Sequence, residues 1–144
     1  MSVVAWDGKT LAADRQGTQG DLVLLACKIR RLPNNDVVAW TGEIERGLAL
    51  AQWYEAGADP SRFPSFQGSE NWTRLIVVPA KGRPFIFEQL PFRQTVLDRM
   101  AAWGSGRDFA LGAMAMGATA ERAVKVASRF ASSCGFGVQS FRVR

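Results

Sequence analysis

The sequence predicts an α+β fold in which two antiparallel sheets stack face to face and are covered by helices. Its elements run strands, helix, strands, two helices, strand, which is not the regular alternation of a parallel doubly wound sheet. Short turn signals, Asp7-Gly8 and Ala80-Lys81-Gly82-Arg83, join strand-like runs into hairpins. At 144 residues, 47% hydrophobic and 22% charged, the chain suits one globular domain covering 1–144.

The first hairpin pairs SVVAW with TLAAD. Trp6 is expected opposite Thr10 across a three-residue loop, Asp7-Gly8-Lys9, which would set Ser2 and Asp14 on one face. After a polar link, DLVLLACKIRRL continues as a strand, with Lys28 and Arg30 sharing a face, and Pro33-Asn34-Asn35-Asp36 closes it. The strand VVAWTG runs into a helix, EIERGLALAQWYEAG, whose Ile44, Leu48, Ala51 and Glu55 follow helical spacing and whose stop is Gly57. Residues 58–72 carry two prolines and a glycine and read as a loop. The second hairpin joins TRLIVVP to PFIFEQ; the strand RMAAWGSG and the helix RDFALGAMAMG follow. Thr119 is an N-cap for a last helix that turns Ala123, Val124, Ala127, Phe130 and Ala131 to one side, and VQSFRV is the final strand. There is no internal repeat.

Composition excludes several kinds of chemistry. With no histidine, neither a Ser-His-Asp nor a Cys-His arrangement can form, and no imidazole can ligate zinc. A nucleophile must then use a carboxylate, a lysine, or the α-amine, whose ordinary pKa of about 7.7 to 8 lies near neutrality. No run reaches the roughly 18 apolar residues of a membrane span, and the start lacks a signal-peptide pattern, so no membrane role is expected. Two cysteines, Cys27 and Cys134, make no disulfide framework and suit a reducing cytoplasm. The net charge of +5 is scattered, and Arg122, Lys125 and Arg129 read as a solvated helix face, so nucleic-acid binding ranks low. Asn71-Trp72-Thr73 matches a glycosylation sequon but means little without a secretory signal.

The succession MSVVAWDGKTLAADRQ, CKIRRL, VVAWTG and MAAWGSG resembles the proteasome β-type N-terminal-nucleophile hydrolases, among them the bacterial HslV-type peptidases. The resemblance extends over most of the chain in order. It implies a four-layer αββα sandwich with a shortened helical layer, because the loop 58–72 stands where the family packs a second helix beside the first. Carried over by position, the nucleophile falls on Ser2, its acidic partner on Asp14, its lysine on Lys28, the oxyanion donor on Gly42 and an accessory serine on Ser105. Ser132 and Ser133 stand where the family commonly has an aspartate. The resemblance implies no metal and no cofactor, a peptide or protein substrate, and a homo-oligomer; it leaves open a ring and an unfoldase partner.

Each assignment has a physical case and a plain alternative. Removal of Met1 would leave Ser2 with a hydroxyl and a free α-amine to deprotonate it, while a Lys28 ammonium would lower the amine's pKa and Asp14 would hold Lys28. Gly42 could aim its N–H at an oxyanion, a donor whose loss costs about 10² to 10³ in rate. Aligning Met1 with the nucleophile matches the family's first residues in type but breaks strand parity with Asp14. In the plain alternative, Ser2 merely leads a strand, Asp14 and Lys28 form a structural ion pair, Ser105 makes a turn, and the chain is a catalytically silent interaction module.

Overall fold

A computed structural model describes residues 2–65 and 73–144. Met1, the sequon residues Asn71 and Trp72, and the end of the expected loop 58–72 lie outside the described residues. The chain opens with β1 (Val3–Trp6) and β2 (Thr10–Asp14), then β3 (Gln16–Gln19) and β4 (Leu22–Leu25). Next come β5 (Ile29–Arg31), β6 (Val37–Thr41) and α1 (Ile44–Glu55), followed by β7 (Arg74–Val78), β8 (Phe85–Phe87) and a two-residue β9 (Gln94–Thr95). β10 (Ala101–Gly104), α2 (Arg107–Ala115), α3 (Ala120–Phe130) and β11 (Val138–Arg142) complete it.

Two antiparallel sheets result, ordered β10-β1-β2-β11 and β5-β6-β7-β8-β9, with β3-β4 as a separate hairpin. Alternation along each strand assigns its side chains to two layers. Val4, Trp6, Leu11 and Ala13 meet Ile29, Val37, Ala39 and Ile76 between the sheets. Val3, Ala5 and Ala12 face the other way, onto Ala110, Ala123, Val124 and Ala127 of α2 and α3. Val38, Trp40, Leu75 and Val77 face Leu50, Ala51 and Trp53 of α1. Among the described residues the order is therefore two helices, sheet, sheet, one helix, a four-layer α+β sandwich with its shorter helical layer on the α1 side. No helix among the described residues is long and apolar enough to cross a membrane.

Thr119 caps α3, its hydroxyl accepting from Arg122 N at 3.3 Å, and Ala123, Val124 and Ala127 are buried as expected. Phe130, expected beside them, is 63% exposed. Arg122, Lys125 and Arg129 are all exposed.

Four further expectations need correction. First, Trp6 pairs with Leu11, not Thr10, so the loop has four residues. Asp7 selects it by accepting from Lys9 N at 2.9 Å and Thr10 N at 2.8 Å, an Asx-type turn with Gly8 at φ 96°. That register sets Asp14 across from Val3, and the argument that Ser2 and Asp14 share a face fails. Second, the polar link becomes β3, and DLVLLACKIRRL splits into β4 and β5. Third, Lys28 and Arg30 do not share a face: Lys28 binds Asp14, whereas Arg30 reaches Glu55 of α1 at 3.3 Å. Fourth, Ile44 and Leu48 are 40% and 38% exposed, while α1 buries Gly47, Leu50, Ala51 and Trp53. Gly47 is the reason: a Cβ there would lie 2.1 Å from the Trp40 ring, so the indole occupies that space and sets the helix rotation.

Candidate active site

A cleft of about 550 Å³ opens where β1 begins and β6 and β10 end, and Ser2, Lys28, Gly42 and Ser105 all line it. Asp14 does not line it; the residue is 1% exposed and lies behind Lys28.

Backbone positions Ser2. Gly104, at φ 95°, brings β10 so close that a Cβ would lie 2.1 Å from the Ser2 carbonyl oxygen, so only glycine fits. The next turn holds the same oxygen, with Gly106 N donating to it at 3.2 Å and Ser105 Oγ at 3.4 Å. Ser105 Oγ in turn shares a 2.6 Å hydrogen bond with Ser133 Oγ. Ser2 Oγ itself is buried and has no hydrogen-bond partner among the described residues. It is the atom that the surrounding backbone fixes in place without using.

Beneath it, Asp14 collects four donors. Oδ1 accepts from Val3 N at 3.0 Å and Lys28 Nζ at 2.8 Å; Oδ2 accepts from Gln16 N at 3.2 Å and Gly135 N at 3.1 Å. The carboxylate thus ties β1, β3 and the segment before β11 together while holding a cation with a charge-assisted bond. Lys28 is 4% exposed, and burial pushes its ammonium below the usual lysine range against the opposing pull of Asp14. Cys134, buried against Gly106, is driven the other way: burial and the Asp14 charge push its thiol up and keep it neutral.

Gly42 makes the turn from β6 into α1 at φ 100°, with Thr73 packed against it so closely that a Cβ would lie 2.6 Å from Thr73 Oγ1. Thr73 also accepts from Glu43 N at 3.0 Å and so fixes the first residue before the helix. Its role was not legible in sequence, because the contact joins residues 30 apart. Gln16 was missed too; it donates to Ser132 O at 3.0 Å and lines the cleft. Charge at the rim comes from Glu43, Arg74 and Arg107. Arg74 pairs with Glu88, and Arg107 donates to Gly104 O at 3.0 Å.

Such an arrangement can present a hydroxyl and a buried cation in one cleft, without an imidazole. No protein-family model and no curated protein matches the chain. Solved structures do. Thiobacillus denitrificans BPH in complex with epoxomicin superposes with a TM-score of 0.75 at 23% identity, over 99% of this chain and 97% of that one. A second structure of Thiobacillus denitrificans BPH gives 0.73 at 23% identity over the same shares. HslV from Trypanosoma brucei gives 0.70 at 20% identity, over 98% of this chain and 97% of that one. From these likenesses and the four layers, the chain has the proteasome β-type, HslV-like fold of the N-terminal-nucleophile hydrolases.

Proposed function

We propose that the protein is an N-terminal-nucleophile amidohydrolase that cleaves peptide or protein amides with Ser2 once Met1 has been removed. The observation that carries this reading is the pairing of Ser2 and Lys28 in one cleft, with Lys28 held at 2.8 Å by a fully buried Asp14. A lysine has little reason to be buried at the floor of an open cleft unless its charge acts there.

The α-amine of Ser2 takes the hydroxyl proton as Oγ attacks the amide carbon, and the Lys28 ammonium keeps that amine neutral by lowering its pKa. Gly42 N–H stabilises the oxyanion of the tetrahedral intermediate. The protonated amine then gives its proton to the leaving nitrogen, and the C–N bond breaks. An ester to Oγ remains, and water, deprotonated by the same amine, hydrolyses it. Ser105, braced by Ser133, holds the Ser2 carbonyl and so the orientation of the nucleophile.

Intact mass spectrometry of the native protein, before and after incubation with epoxomicin, tests the reading. The expected result is a chain lacking Met1 that gains one inhibitor mass, with the gain abolished in Ser2→Ala. A native chain that keeps Met1, or one lacking Met1 that neither gains mass nor hydrolyses peptide amides, overturns it and leaves the silent interaction module.

A further inference from the structure

Folding gathers cations that are scattered along the sequence. The cleft lies where β1 begins and β6 and β10 end; the opposite pole is made by the turns 7–9, 79–84 and 98–100 and by the residues that end β5 and β11. Exposed cations meet at that pole through direct contacts. Arg31 donates to Arg142 O at 2.7 Å, and Arg142 Nε to Arg144 O at 2.8 Å. Arg144 N donates to Lys9 O at 3.2 Å, while its guanidinium donates to Pro79 O at 3.3 Å and to Gly82 O. A Cβ at Gly8 would lie 3.3 Å from Arg99 O, so Arg99 stands against the same turn as Lys9. Lys81 and Arg83, both exposed, flank Gly82.

The fold supplies little counter-charge. None of these seven cations pairs with an Asp or Glu side chain among the described residues. Asp7 is committed to Lys9 N, Thr10 N and Ala120 N, and Asp36 to Asn34, Tyr54 and Ala80. Asp98 is left as the exposed carboxylate of these turns. Like charges held this close repel, and a polyanion that docks on them offsets the repulsion and releases its own counterions.

We propose that this pole binds the phosphate backbone of a nucleic acid. Arginine predominates there, and its planar fork of donors matches phosphate oxygens. Carbonyl bonds already hold the guanidinium groups of Arg31, Arg142 and Arg144, so less freedom is lost when a phosphate arrives. Arg144 lies over the Trp6 ring and Arg31 over the Phe141 ring, each at 5.6 Å. Cations thus cap the rings at this pole, where a protein partner would bury an apolar centre. The pole faces away from the cleft, and the proposal does not depend on the hydrolase reading.

Fluorescence anisotropy of a labelled DNA duplex of mixed sequence, titrated with the full chain, tests it. About four phosphate contacts make the affinity fall by about 10² between about 50 and 200 mM salt, and that fall is the expected result. Lys9→Glu with Arg99→Glu is expected to weaken binding at least about tenfold and to make the salt slope shallower by about 2. Lys81→Ala with Arg83→Ala, in a different turn, is expected to act in the same direction. Lys125→Glu with Arg129→Glu changes the net charge as much as the first pair does, but on α3, and is expected to bind as the wild type does. Far-UV circular dichroism checks that each variant folds. A wild type that does not bind at the lower salt, binding that ignores salt, pole variants with wild-type affinity, or an equal loss in the α3 variant overturns the proposal. Displacement of the duplex by poly-glutamate at matched charge overturns it too, and would assign the pole to an acidic protein.

Discussion

Two buried aspartates, at different places in the molecule, gather donors in similar fashion and do different work. Asp14 and Asp36 are 1% and 7% exposed. Asp36 accepts from Asn34 Nδ2 at 3.0 Å, Tyr54 OH at 2.8 Å and Ala80 N at 2.9 Å. All three donors are neutral, and they pin a turn to α1 and to the end of β7. Asp14 does a similar job with three backbone N–H groups and then adds a cation, Lys28, that faces a cleft. The comparison teaches that a buried carboxylate is not by itself a sign of catalysis. What distinguishes Asp14 is the buried charge it holds against open space.

That distinction can be broken by mutation, beginning with the largest effect. Lys28→Met should leave the Asp14 charge buried without its counter-ion, costing about 4 kcal/mol of stability. It should also lower amide hydrolysis by about 10³ per folded molecule. Chemical denaturation and initial rates at matched folded fraction measure the two losses. Asp36→Ala, which strands its donors, should cost about 3 kcal/mol yet leave epoxomicin labelling per folded molecule unchanged. A labelling loss there would erase the contrast between the two sites.

Tyr54→Phe removes one donor to Asp36 and should cost about 1.5 kcal/mol. It also sharpens the comparison through pH. Burial, aided by the bond to Asp36, pushes the Tyr54 phenol well above its ordinary range. The unfolded chain therefore loses this proton first, near its ordinary pKa of about 10, and stability falls as pH rises above that value. Tyr54 is the chain's single tyrosine, so tyrosinate absorbance reads this ionisation directly. The alkaline fall in stability should be shallower in Tyr54→Phe than in wild type.

Much of the layer order was legible because its signals are local. The N-cap at Thr119, the turn residues between β7 and β8, and the glycine after α1 each act within a few residues. What was not legible depends on distant partners. Asp7 fixes the four-residue loop partly because its Oδ2 is also committed to Ala120 N, at 2.8 Å, in the first turn of α3. Nothing near Asp7 in sequence announces that bond. The rotation of α1 likewise depends on Trp40 filling the space at Gly47. For the site, a family resemblance assigned five residues, of which four line the cleft and Asp14 stands behind Lys28. Thr73 and Gln16 went unnoticed because threonine and glutamine have no spacing that marks them.

The narrowest tolerances around Ser2 belong to residues with no side chain. A methyl group at Gly104 would collide with the Ser2 carbonyl, and one at Gly106 would press on Cys134 and Val3 at 2.9 and 3.0 Å. In the proposed hydrolase, retuning which substrates enter is therefore a matter for Thr18, Glu43 and Ile44, which also line the cleft. The two glycines work as a gauge block: they set the position of Ser2, the proposed nucleophile, and leave preference to their surroundings.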